Sequence, residues 1–172
     1  SSAAGDVESR PVLPLVDRGP LNTGALPNLD TDLDDQPGRL LEKDSVLVLG
    51  GPAAIQRFSL DPAGSIRIGG PVRLHLYAAA KNFRVDRVQT QAAIVDCIDL
   101  VGICNVFATA TVTFTGADNQ YTPLTFDFGS HTRTVPASHH LELWIVVTTG
   151  SARDMWMAYD TAGYESALTL VS

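Results

Sequence analysis

Val106-Phe107-Ala108-Thr109-Ala110-Thr111-Val112-Thr113-Phe114 alternates apolar residues with Phe and Thr along its whole length. A side-chain period of two puts every second residue on one face, the pattern of a strand with one face buried and the other wet. Two other stretches repeat it. Val72, Leu74 and Leu76 alternate with Arg73, His75 and Tyr77, and Leu141, Leu143, Ile145 and Val147 alternate with Glu142, Trp144, Val146 and Thr148. Shorter strand-like runs lie at 46–49, 55–60, 65–68, 83–95, 124–128, 155–159 and 167–171. Turn chemistry separates them: Gly50-Gly51-Pro52, Asp61-Pro62-Ala63-Gly64, Gly69-Gly70-Pro71, Gly116-Ala117-Asp118-Asn119 and Thr149-Gly150-Ser151. Short strands at this spacing with no helical period predict an all-β chain, a two-sheet, jelly-roll-like β-sandwich over residues 45–172.

The first 44 residues differ. Pro11, Pro14, Pro20, Pro27 and Pro37 punctuate them, and a residue that fixes φ and lacks an N–H favours an extended, irregular arm. Within that arm Val12, Leu13, Leu15 and Val16 form an apolar segment suited to a sheet edge, on its own domain or on a second copy. The arm ends in an acid run where Asp30, Asp32 and Asp34 stand at alternate positions, the spacing calcium loops use. Asp35 replaces the glycine such loops place next, and Glu42 lies one position beyond the usual bidentate ligand. A bound calcium and an acidic, solvated turn are the two readings of that run.

Composition narrows the partners. The 172 residues are 45% hydrophobic and 18% charged, which is too apolar for a disordered chain. Nineteen acidic residues against twelve basic ones give a net charge of -7, with no basic cluster to neutralise a phosphate backbone. Nucleic acid and anionic membrane surfaces are disfavoured. The longest charge-free stretch, 100–117, has strand chemistry and is not a spanning helix. The small residues Ser1-Ser2-Ala3-Ala4 suit a trimmed leader, with a truncated chain as the alternative, and a disulfide between the two cysteines would imply an oxidising compartment, so a secreted, cell-surface protein is expected.

Cys97 and Cys104, with Gly102 between them, fit a disulfide across a hairpin end. Two buried free thiols are the alternative, and a zinc pair lacks a second Cys/His pair at ligand spacing. His139, His140 and Glu142 form the tightest cluster of catalytic residue types, but no G-x-S-x-G elbow accompanies them. His140 and Glu142 share one strand face, which gives either half a metal site or a solvated surface. Trp144, Trp156 and Tyr159 are candidates for a sugar-stacking platform, because flat rings pack well on the apolar faces of sugars.

Three motifs, in order, resemble one family. They are Gly70-Pro71-Val72-Arg73-Leu74-His75-Leu76-Tyr77, then Ala93-Ile94-Val95-Asp96-Cys97, then Val135-Pro136-Ala137-Ser138-His139-His140-Leu141-Glu142-Leu143. They resemble strands of the jelly-roll domain at the C-terminus of Xaa-Pro dipeptidyl peptidases, cocaine-esterase-like enzymes and α-amino-acid ester hydrolases. Ser138 stands where that family has Gly, and the family's catalytic Ser, Asp and His belong to an α/β-hydrolase domain that this sequence lacks. The acid run, with Ala158-Tyr159-Asp160-Thr161, also resembles small secreted bacterial surface proteins. The expectation is a non-enzymatic extracellular subunit that self-associates through its arm into a filament or surface assembly, with a carbohydrate-binding accessory module as the alternative.

Overall fold

The computed structural model describes residues 12–14, 16–20, 39–41, 43, 56–60, 65–158 and 167–170. They form antiparallel strands in two sheets, as the alternation predicts. The strands are β1 (Val12–Pro14), β2 (Val16–Pro20), β3 (Arg39–Leu41), β4 (Gln56–Leu60), β5 (Ile66–Ala80), β6 (Arg87–Ile98), β7 (Cys104–Thr115), β8 (Thr122–Val135), β9 (His139–Val147), β10 (Met155–Ala158) and β11 (Ala167–Leu170). The only helical turn among the described residues is a 3-10 turn at Lys81–Phe83.

One sheet is built on β5. β8 runs along one side of it, while β11 and then β10 pair with the other side, followed outward by β1 and β3. The other sheet has the order β2-β4-β9-β6-β7. The core lies between them and includes Phe58, Ile68, Leu74, Leu76, Ile94, Phe126, Leu141, Leu143 and Ile145, all fully buried. Burying each such side chain contributes about 1.5–3 kcal/mol, so these residues dominate the cohesion of the sandwich.

The arm does not stand apart from this frame. β1 adds to β11 and β2 adds to β4 of the same chain, so Val12, Leu13 and Val16 extend both sheets at their edges. Leu15, Asp30, Asp32 and Asp34 lie outside the described residues, as do the run at 46–49, the turn signals at 50–52 and 61–64, and Tyr159.

Three local expectations are corrected. Gly69-Gly70-Pro71 is not a turn but part of β5, which runs unbroken from 66 to 80. The accommodation falls on the neighbour: the register with β8 shifts between Pro71 and Arg73. Opposite that shift Gly129 has φ 79° and its N–H bonds Asp127 Oδ1 at 2.9 Å, the geometry of a glycine bulge. A second bulge, between Ile94 and Val95, adds Phe107 to β7. It breaks the phase of the Val106–Phe114 alternation. Val106 turns to solvent, while Phe107 packs on the core beneath Arg133, whose guanidinium lies 4.6 Å from the ring centroid. Finally, β9 is not half-wet. Glu142, Trp144 and Val146, on the face away from the core, are buried as well, with Trp144 and Val146 packed against Ala93, Val95 and Cys97.

Candidate functional site

Strand β6 begins beside one cluster of unusual residues and ends beside another. At its start, the connection from β5 passes through the 3-10 turn, where Asn82 and Phe83 both take left-handed backbone angles, φ 63° and 53°. For a bulky aromatic residue this conformation is strained, and it persists only where the surroundings impose it. Here they do. Lys81 N–H bonds Asp154 O at 2.9 Å, and Gly116 N–H bonds Asp86 O at 3.0 Å. Gly116 must be glycine, because a Cβ there would stand 2.3 Å from Arg84 O and 2.9 Å from Ala80 Cβ. Ser151 Oγ accepts from Gln89 N–H at 2.6 Å, and Ala152 N–H bonds Arg87 O at 2.8 Å, pinning the loop after β9 to β6.

The result is an aromatic shelf. Phe83 meets Trp156 edge to face at 5.1 Å between centroids and Tyr121 likewise at 5.3 Å. All three rings are half-buried. Beside them opens a cleft of about 370 Å³ lined by Phe83, Arg84, Val85, Asp86, Asp118 and Arg153, with Arg153 paired to Asp86. Rings next to paired carboxylate and guanidinium groups offer both stacking faces and hydroxyl-binding atoms.

At the far end of β6 the β6–β7 hairpin closes over a disulfide between Cys97 and Cys104, as the spacing predicts. Behind it, His140 Nδ1 lies 2.6 Å from Asp99 Oδ1 and its Nε2 lies 2.7 Å from Glu142 Oε2. Trp144 Nε1–H donates to Glu142 Oε1 at 2.9 Å. Glu142 is 2% exposed, so this is not a solvated face. Burial disfavours the His140 imidazolium, but the hydrogen bonds and charges of Asp99 and Glu142 outweigh it and raise the pKa above the ordinary 6.5. On the core side of the same strands, Asp96 accepts two bonds from Arg133, at 3.0 and 3.1 Å, and lies 2.7 Å from His139 Nδ1. The hairpin tip is apolar and exposed at Leu100, Val101 and Ile103.

The sugar-stacking expectation therefore divides. Trp144 is 2% exposed and has its N–H committed to Glu142, so it offers no ring face to a ligand. Trp156 sits on the shelf. Phe83 and Tyr121 were not singled out as site residues by the sequence: Phe83 opens the strand-like run at 83–95, whereas β6 begins only at Arg87, and Tyr121 is an isolated aromatic in a polar loop.

Fold and clusters together define a jelly-roll-like β-sandwich with two built ends. No family model matches the chain, and no curated protein matches it by sequence. By structure it is similar to an aminopeptidase from the marine sediment archaeon Thaumarchaeota archaeon, with a TM-score of 0.65 at 9% identity over 91% of this chain. It is similar to an α-amino acid ester hydrolase at 0.65, 12% and 92%, and to a CocE/NonD family hydrolase from Staphylococcus aureus at 0.62, 13% and 94%. The chain spans 36% of the length of each. The likeness is one of fold, and it agrees with the resemblance carried by the strand motifs.

Proposed function

We propose that this chain is a non-catalytic, extracellular binding module whose shelf end recognises carbohydrate. The observation that carries the reading is the Trp156–Phe83–Tyr121 shelf, held in a strained turn beside the Asp86, Asp118, Arg84 and Arg153 cleft. A polar cleft flanked by fixed rings suits a ligand with alternating apolar faces and hydroxyl edges. A hydrolytic role finds little support at the other end, because both ring nitrogens of His140 are engaged by carboxylates and none is left to activate a nucleophile. The disulfide fits an oxidising compartment. A glycan array followed by calorimetry tests the proposal. Binding should be lost in Trp156→Ala and Phe83→Ala and kept in a Leu100→Ser control. Equal binding by all three variants, or no glycan bound by the parent protein, sinks it.

Assembly through the arm is a second reading, favoured by the shortness of its ladders. β1 pairs over three residues and β2 is broken by a register shift between Asp17 and Pro20, so exchange onto a second copy gives up little at home. Removing residues 1–27 should then leave a sandwich of unchanged fold that has lost its self-association in sedimentation.

A further inference from the structure

We propose that the Cys97–Cys104 disulfide masks a zinc site, and that its reduction by a dithiol exposes Cys97 as a ligand alongside His140 and Glu142. A donor atom from each of these three residues lies within 4.8 Å of the other two. Thiolate, imidazole and carboxylate are the ligand types zinc takes, and three of them plus one further ligand complete a tetrahedron. Cys104, released on the facing strand, is the register partner of Cys97.

Proximity is not the whole case. Metal-bound histidines give their other nitrogen to a carboxylate, and ligating carboxylates are themselves hydrogen-bonded. Both outer partners are already in place. Asp99 holds His140 Nδ1, leaving Nε2 as the inward atom, and Trp144 N–H holds Glu142 Oε1, leaving Oε2 as the inward atom. Those two inward atoms face each other at 2.7 Å. A proton shared between them stands where a cation would stand.

The charges also balance. A zinc ion with one thiolate and one carboxylate is neutral, as is the imidazolium–carboxylate pair it replaces, so a buried site gains no net charge. In the chemistry, the dithiol gives two electrons and two protons to the disulfide and becomes a disulfide itself. Zinc then displaces the Cys97 thiol proton and the proton between His140 and Glu142, and both pass to solvent. Disulfide and metal are thus alternative staples for the same hairpin end, selected by redox state.

The full chain is titrated with zinc against a chromogenic chelator, with and without dithiothreitol, and its fold is followed by circular dichroism. Reduced protein should bind one zinc at least about 100-fold more tightly than oxidised protein, and Asp99→Asn should weaken that binding by about 10–100-fold. Cys104→Ser should bind without reductant, and Cys97→Ser should bind no better than the oxidised form. Cobalt(II) in the Cys104→Ser variant should give a thiolate charge-transfer band and tetrahedral d–d bands. Equal zinc affinity in reduced and oxidised parent protein overturns the proposal, as does a folded Cys104→Ser variant with no thiolate band. Should that variant not fold, the reduced parent protein decides alone.

Discussion

The two ends of β6 solve the placement of polar and aromatic groups in opposite ways. At the hairpin end, charge is drawn inward: Glu142 is buried, with His140 Nε2 and Trp144 Nε1–H on its two oxygens and Asp99 holding the other nitrogen of His140. At the shelf end, apolar rings are pushed outward: Phe83 leaves the strand in a left-handed conformation and is half-exposed between Trp156 and Tyr121. A buried charge network costs desolvation and repays it only when complete. A strained turn costs backbone energy and is retained where position matters more than stability. With the proposed function, the contrast sets a stabilising network at the hairpin end against a recognition surface at the shelf end.

The sharpest way to break that division is to remove the base from the buried network. His140→Ala removes the ring nitrogen that Glu142 Oε2 contacts at a buried position, and should cost about 3 kcal/mol in denaturant unfolding. A cost under about 0.5 kcal/mol, the size of an ordinary surface change, would return the pair to the category of solvated side chains. The same network gives a signed pH dependence. A histidine whose folded pKa lies above its unfolded value of 6.5 binds its proton more tightly in the folded state. Its stabilisation is therefore complete below 6.5 and is lost as pH rises through the folded value. The denaturation midpoint should fall over that window in the parent protein and stay flatter in His140→Ala.

Next in size comes the staple. Reducing the short Cys97–Cys104 loop in the presence of a chelator should lower stability by about 2.5 kcal/mol, the chain-entropy value for so small a ring. Zinc added back to the reduced protein should recover much of that loss, whereas the oxidised protein should not respond. At the shelf, Asn82→Ala places a side chain that disfavours left-handed backbone at φ 63° and should cost about 1 kcal/mol. Because Asn82 sets the direction of Phe83, that variant should also weaken glycan binding more than its stability change explains. Undiminished affinity would detach the strain from recognition.

Much of the frame was legible in the sequence because period two is read residue by residue. The alternations at Val72–Leu76 and Leu141–Val147 name the core positions correctly. Legibility failed where one residue shifts the phase. Phe107 and the Gly129 bulge change which face a run presents, and nothing in a linear pattern marks the extra residue. It failed again where partners come from distant strands. His140, Glu142 and Trp144 can be placed on one face from their spacing, but Cys97 joins them only through the β6–β9 register, in which it stands opposite His140, and Asp99 only where the chain turns beyond β6. A zinc set was unsupported in the sequence for that reason: ligand spacing looks for neighbours in the chain, and these are neighbours across the sheet.

The smallest expected effect tests whether the two ends are separate devices. They lie at opposite ends of a strand running from Arg87 to Ile98, a separation of about 35 Å at the usual rise per residue. They share β6 and β9, but among the described residues one end is held by Gln89, Ser151 and Asp86 and the other by Asp96, Asp99 and Glu142. Distant sites with no common partner add to within about 0.5 kcal/mol. A double-mutant cycle between His140→Ala and Trp156→Ala should therefore close to that margin in unfolding free energy. Glycan affinity should be equal in parent protein and His140→Ala. A coupling well above that margin would mean that β6 and β9 transmit strain along their length, and reduction at the hairpin end would then be expected to alter recognition at the shelf.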